Sequence, residues 1–252
     1  MDLAKSIKPT VRALMPEGLW FAAGRVKATL VAARKERRQT YQGVCTLHST
    51  QALHRGAYAQ AFDRHWRRDP SLDAMKTRMR HYYVTQFARL ALKQASGDLA
   101  FVGVSYGVSP RIIYDVCDVG SRLLHFIDPF IAVDGAQRNV VSKYNSNPDT
   151  AMNGYPPGVK IMLHLILVPD ALPVKGIGPL SFVHMDTSHA EAEAKSLPYF
   201  FGLLSPGGAI VIDKYANDGG EGGSEAIYDP VLAKLGIEPL WLPTGQAVLC
   251  KC

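Results

Sequence analysis

The sequence predicts an α/β fold: a mostly parallel sheet covered by helices, closed by a C-terminal antiparallel hairpin and preceded by a helical extension. Three observations carry this. From Gly97 onward, short apolar runs alternate with segments of helical period, as expected of parallel strands joined by helical crossovers. Before Gly97 the apolar residues recur at helical spacing only. The charge divides at the same place: residues 1–96 hold 18 Lys and Arg against 6 Asp and Glu, and residues 97–252 hold 10 against 16. A length of 252 residues and an apolar fraction of 47% allow one large domain with a sizeable core plus an appendage. The reading is a basic helical extension over residues 1–74, suited to a lid or dimer contact, and a larger domain over residues 75–252.

The extension opens with Pro9 and Pro16-Glu17-Gly18. Leu19, Ala23, Val26, Leu30 and Ala33 form one apolar stripe, with Arg25, Arg34 and Lys35 elsewhere on the wheel. Residues 1–96 read as helical throughout, with a second amphipathic segment from Gln51 to Trp66. Asp69-Pro70-Ser71 starts a longer helix, whose stripe runs through Met75, Met79, Tyr82, Tyr83, Phe87 and Leu90. The stripes in residues 19–33 and 75–92 suit a homodimer contact. The basic residues 25–38 suit either a solvated face or a nucleic-acid partner. The longest uncharged apolar run, Ile161 to Val168, is too short to span a bilayer. No signal-peptide pattern is present, and four cysteines without a Cys-x-x-Cys pair read as free thiols in a reducing cytoplasm.

In the larger domain, Leu99 to Val104 reads as a buried strand that breaks at glycines. A helix follows, with Ser109 as N-cap and Pro110 at its first position. Gly103-x-x-x-Gly107 fits neither the G-x-G-x-x-G fingerprint nor a P-loop. Strands follow at Leu123–Ile127, Val159–Leu167, Leu180–Met185 and Ala209–Ile212. Helices are expected over His189–Leu204 and Ala226–Leu235, with a turn at Ser205-Pro206-Gly207-Gly208. Pro243-Thr244-Gly245-Gln246 joins the two arms of the terminal hairpin.

The chemistry is read from position. Strands end at or just before Gly103, Asp128, Asp186 and Asp213, and Asp170 closely follows the third. Ligands of open α/β sheets bind beyond such carboxyl ends. A carboxylate after the second strand can take both hydroxyls of a ribose. Asp186 and Asp213, on strands joined by one helix, can be neighbours. Close carboxylates share a cation, share a proton or pair with a base. Each aspartate alone is also a common cap or turn former.

Several blocks resemble one family. These are Gly97-Asp98, Gly103-x-x-x-Gly107-x-Ser109, Asp128-x-Phe130, Phe182-Val183-His184-Met185-Asp186 and Leu204-Ser205-Pro206-Gly207-Gly208 running to Asp213-Lys214-Tyr215. Over about residues 75–252 the chain resembles the class I S-adenosylmethionine-dependent methyltransferases, in particular the macrocin O-methyltransferase (TylF-like) group. Asp186-Thr187-Ser188-His189 is also similar to the Asp-x-x-His of the cephalosporin hydroxylase-like group. The resemblance implies a Rossmann-like sheet and S-adenosylmethionine as cofactor. Gly103, Ser105, Tyr106 and Ser109 would line its methionyl end and Asp128 would hold the ribose. Phe130 would flank the adenine, with Asp170 near its amino group and Asp186 also beside the cofactor.

The departures bear on metal and mechanism. Metal-dependent members carry Asp-Asp-Tyr where this chain reads Asp213-Lys214-Tyr215. A magnesium site on Asp186 and Asp213 is therefore not favoured; Lys214 either supplies the replacement charge or, by strand alternation, points away and leaves two carboxylates to bind metal weakly. Methyl transfer needs a nucleophile placed in line and relieved of its proton. Asp186, His189, Asp213 and Lys214 are the catalytic candidates, and His189 is the natural base near neutral pH. The expected activity is methylation of a hydroxyl on a small sugar or phenolic natural-product acceptor. The alternatives are N- or nucleic-acid methylation through the basic segment, and cofactor binding without catalysis.

Overall fold

The computed structural model describes residues 40–41, 44–45, 50–69, 72, 74–130, 148–187, 189–216 and 224–252. The chain divides into two compact units, Met1–Ser49 and Thr50–Cys252. In the first, β1 (Thr40–Tyr41) pairs antiparallel with β2 (Val44–Cys45). This corrects the expectation of continuous helix before Gly97, since β-branched and aromatic residues of Thr40-Tyr41 and Val44 suit a ladder better than a helix. The apolar stripe of residues 19–33 and the basic residues 25–38 lie outside the described residues.

The second unit opens with α1 (Gln51–His54), α2 (Gly56–His65), a 3-10 turn at Trp66–Arg68 and α3 (Ala74–Gln94). Then come β3 (Asp98–Val102), α4 (Val108–Val116), β4 (Leu124–Ile127), α5 (Pro148–Met152) and β5 (Ile161–His164). β6 (Leu180–Met185), α6 (Ala190–Leu203), β7 (Leu204–Ile212), α7 (Glu225–Leu235), β8 (Leu240–Trp241) and β9 (Ala247–Cys250) complete it. The sheet runs β5-β4-β3-β6-β7-β9-β8. The first five strands are parallel; β9 is antiparallel to both β7 and β8.

Side-chain alternation builds two cores from these strands. Leu99, Phe101, Phe126, Phe182 and Val211 face one way, beneath Val84, Ala88 and Ala91 of α3 and Ile113 of α4. Ala100, Val102, Ile127, Val183, Met185 and Ile212 face the other, beneath Leu197 and Phe200 of α6 and Leu232 of α7. On α3, Val84, Ala88 and Ala91 pack on the sheet with Phe87 partly buried against them, and Leu90 is exposed.

Two local expectations change. The helix after the glycine turn starts at Val108, capped by Gly107 at φ 74° rather than by Ser109. A Cβ on Gly107 would lie 2.8 Å from the Ala151 carbonyl oxygen, so only glycine lets α5 approach. Pro110 still lies in the first turn, where its missing N–H costs no helical bond. Residues 205–208 form no separate turn. They open β7 irregularly, with Leu204 paired to Leu180 and Ala209 to Phe182.

Candidate active site

A cavity of about 280 Å³ opens beyond the C-terminal ends of β3, β4 and β6. Its walls are Gly103 and Ser105 after β3, Asp128 and Pro129 after β4, Ile166 to Val168 after β5, Asp186 and Thr187 after β6, and Lys214 after β7. Asp69 and Leu72 before α3, Arg80 from α3, and His189 and Ala192 at the N-terminus of α6 also line it.

The floor is the glycine turn. Gly103 has φ 83°, and a Cβ there would lie 2.4 Å from the Asp186 carbonyl oxygen. Glycine therefore lets the β3 and β6 ends meet. The Asp128 carboxylate holds the turn open. Its Oδ2 accepts the backbone N–H of Val104 at 2.8 Å and of Ser105 at 2.9 Å, and its Oδ1 accepts that of Phe130 at 2.8 Å. Ser105, at φ 52°, keeps a buried hydroxyl without a protein partner. A smaller space of about 50 Å³ adjoins the turn, walled by Tyr106, Ser109, His81 and His184 among others. Ser109 Oγ lies 3.0 Å from His81 Nδ1. Burial, helped by Arg80, pushes His81 down to about 3. Burial likewise takes His184 down to about 4, so both imidazoles are neutral at neutral pH.

The far wall is ionic. β7 ends at Ile212, and the following turn folds Lys214 back so that Nζ lies 2.7 Å from Asp186 Oδ1 and donates to the Thr187 carbonyl at 3.0 Å. Burial by itself would raise the Asp186 carboxyl; Lys214, Arg80 and His184 outweigh it and hold it below the usual value. Asp186 in turn raises Lys214. Asp213 turns the other way. Its carboxylate pairs with Arg80, accepts Gln246 Nε2 at 2.6 Å, and lies 3.5 Å from His184 Nε2; Arg80 Nη2 also donates to its backbone carbonyl at 2.9 Å. Beneath Thr187, Glu193 accepts the Thr187 N–H and, at 2.7 Å, the Tyr228 hydroxyl. Burial pushes the Glu193 carboxyl up to about 7.

Of the residues singled out from sequence, Gly103, Ser105, Asp128, Asp186, His189 and Lys214 meet at the cavity, and Tyr106 and Ser109 at the adjoining space. Three do not line the cavity. Phe130, at φ 49°, is buried in the core, and Pro129 takes the wall instead. Asp170 stands exposed on the turn after β5. Asp213 is drawn behind the wall by Arg80 and Gln246. Arg80, Glu193 and Gln246 have no local motif in the sequence. Arg80 and Gln246 are revealed only by Asp213, the buried carboxylate they serve, and Glu193 only by its bonds to Thr187 and Tyr228.

His184, Asp186 and Asp213 each bring one ligand atom within 4.8 Å of the others. They do not fit a divalent cation in this arrangement. Asp186 is already neutralised by Lys214 and Asp213 by Arg80, and an ion would meet both positive charges at contact range. A nucleoside-sized cofactor fits better. The glycine turn admits close approach, Asp128 presents a carboxylate to the cavity, and Ile127, Ile166 and Val168 give an apolar wall. Among the described residues, no helix is long and apolar enough to cross a membrane.

No family model and no curated protein sequence matches the chain. Solved structures do. The O-methyltransferase NovP aligns over 71% of this chain and 81% of its own at 18% identity, with a TM-score of 0.56. The S-adenosylhomocysteine-bound methyltransferase PaMTH1 of Podospora anserina aligns over 90% and 96% at 17% identity, TM-score 0.52. A putative caffeoyl-CoA O-methyltransferase from Staphylococcus aureus aligns over 80% and 97% at 13% identity, TM-score 0.51. At these identities the likeness is one of architecture: the chain has the α/β, Rossmann-like methyltransferase fold, with its cavity at the strand ends where that fold binds ligands.

Proposed function

We propose that this chain transfers a methyl group from S-adenosylmethionine to a hydroxyl of a small-molecule acceptor, of the sugar or phenolic natural-product type that the macrocin O-methyltransferase group takes. The observation that carries the reading is Lys214. Its ammonium is fixed by Asp186 and the Thr187 carbonyl on the wall facing the glycine turn, and His189 lines the same cavity. The named activities of the structural relatives support it.

The cofactor, when bound, supplies a methyl group already activated on a sulfonium. The protein's work is then placement and proton removal. Asp128, on the wall after β4, accepts the ribose hydroxyls. Ser105 offers its free hydroxyl to the methionyl end. The Lys214 ammonium stabilises negative charge as it develops on the acceptor oxygen, and a His189 ring nitrogen accepts the proton. Arg80, held by Asp213, adds a second positive charge. No step is routed through a metal. The free thiols Cys117, Cys250 and Cys252 suit a reducing cytoplasm.

Calorimetric titration with S-adenosylhomocysteine, followed by an acceptor panel with and without chelator, tests the reading. Binding in the micromolar range and chelator-insensitive turnover of a hydroxyl acceptor are expected. Absence of binding at millimolar cofactor overturns it.

A further inference from the structure

A second charged cluster lies among α2, the 3-10 turn after it, α4 and the segment after α5, and no part of the proposed reaction uses it. Four buried polar atoms there have no hydrogen-bond partner: Arg68 Nε, Arg111 Nε, Arg111 Nη1 and the Tyr155 hydroxyl. All four are donors. Arg111 is 6% exposed and stacks its guanidinium 4.1 Å from the centre of the Tyr155 ring. Arg68 is steered to the same place by donating to the carbonyls of Thr150 and, at 2.8 Å, Asn153. A point one Cβ bond from Gly154 lies 3.8 Å from Arg68 Nη1 and 3.9 Å from Arg111 Nη2, the two nearest atoms beyond its own chain neighbours. Two guanidinium forks therefore converge over a residue that has no side chain and is exposed to solvent.

Among the described residues the local charge is not balanced. Asp115 is the acidic partner among the described contacts of this cluster. Its Oδ2 is shared by Arg64 Nη1 and His65 Nε2, each at 2.7 Å, and its Oδ1 stands 3.8 Å from Arg111. Burial lowers His65, so it adds no charge at neutral pH. Arg64, Arg68 and Arg111 thus face one carboxylate. A buried guanidinium with unmade bonds is costly. A ligand with acceptors only, carrying about two negative charges, offers partners to these unmade donors. Planar guanidinium forks match phosphate geometry in pairs. Burial keeps the Tyr155 phenol protonated, hence a donor.

We propose that Arg68, Arg111 and Tyr155 form an oxyanion site, entered over Gly154, that takes a phosphate group. The site is separate from the methyl-transfer reading and stands whether or not that reading does.

Thermal unfolding of the full chain in sodium phosphate and in sodium chloride at matched ionic strength tests it, with a dissociation constant from calorimetry. Phosphate should raise Tm saturably, whereas chloride should not. Arg111→Met should abolish the phosphate response while leaving the chain at least as stable in chloride, because a buried guanidinium with unmade hydrogen bonds is removed. Arg68→Met and Tyr155→Phe, which touch less of the core, should weaken binding at least tenfold and severalfold. They carry the test if Arg111→Met does not fold. Lys214→Met should keep the full response. Tighter binding of glycerol phosphate than of inorganic phosphate would assign a phosphomonoester, and equal binding free phosphate; either supports the site. A phosphate response equal to that in chloride, one retained by both arginine variants, or one lost in Lys214→Met overturns it.

Discussion

Lys214 Nζ and Asp186 Oδ1 lie 2.7 Å apart, although successive residues of a regular strand point to opposite faces of a sheet. The pair forms because β7 stops at Ile212 and the chain turns before Lys214. One carboxylate, Asp186, stays on the cavity wall with Lys214. The other, Asp213, leaves it for Arg80.

Replacing Lys214 should therefore separate chemistry from binding. Lys214→Ala is expected to lower kcat by roughly 10²–10³, the cost of losing one preorganised charge at the reacting oxygen. Its affinity for S-adenosylhomocysteine should stay within about twofold, since a charge acting at the acceptor contributes to the transition state rather than to cofactor binding. Lys214→Asp should make the rate respond to magnesium. Steady-state kinetics with and without chelator decides both.

Arg80→Met should destabilise the fold by about 3–5 kcal/mol, because it leaves Asp213 buried and unpaired. Adding Asp213→Asn should recover most of that loss, as Gln246 can still bond an amide there. Urea unfolding of the two singles and the double closes the cycle.

Asp128→Ala should weaken S-adenosylhomocysteine binding by about 1–3 kcal/mol. Asp128→Asn should cost less, because its amide oxygen can still accept the Val104 and Ser105 N–H groups. Equal affinities for all three proteins would remove Asp128 from the site.

Opposing titrations shape the pH dependence of stability. Glu193 is raised from 4.5 to about 7, so the folded state holds its proton more tightly, and this contribution fades as pH rises from 4.5 through 7. His184 is lowered from 6.5 to about 4 and His81 to about 3, so the unfolded state binds their protons more tightly, and stability falls as pH drops below 6.5. Glu193→Gln removes the first effect alone. Its unfolding free energy should rise more steeply than the parent's between pH 5 and about 7, read from urea midpoints at each pH.

Much of this was legible in the chain. Apolar runs such as Phe182-Val183-His184-Met185 are buried on both faces, and a run bounded by turn residues announces such a strand. Strand-end aspartates announce themselves by position. Direction does not: Asp128 and Asp213 look alike in sequence, yet one holds a loop on the cavity wall and the other a half-buried arginine. Phe130 reads as a ring for an adenine until its positive φ turns it into the core. Arg80 lies on a helix 133 residues from its partner, beyond the reach of any local pattern.

That separation also bears on the order of events in folding. Arg80, Asp213 and Gln246 come from α3, the end of β7 and the hairpin turn before β9, and Asp213 is buried between the other two. Contacts so distant form late, after the long loops between them have closed. Until the hairpin docks, collapse around β7 would strand a carboxylate and a guanidinium out of water, so premature compaction is opposed by hydration of the same charges that later seal the fold. The trio thus acts as a checkpoint on assembly: the ionic wall is complete only when three remote segments have arrived in register.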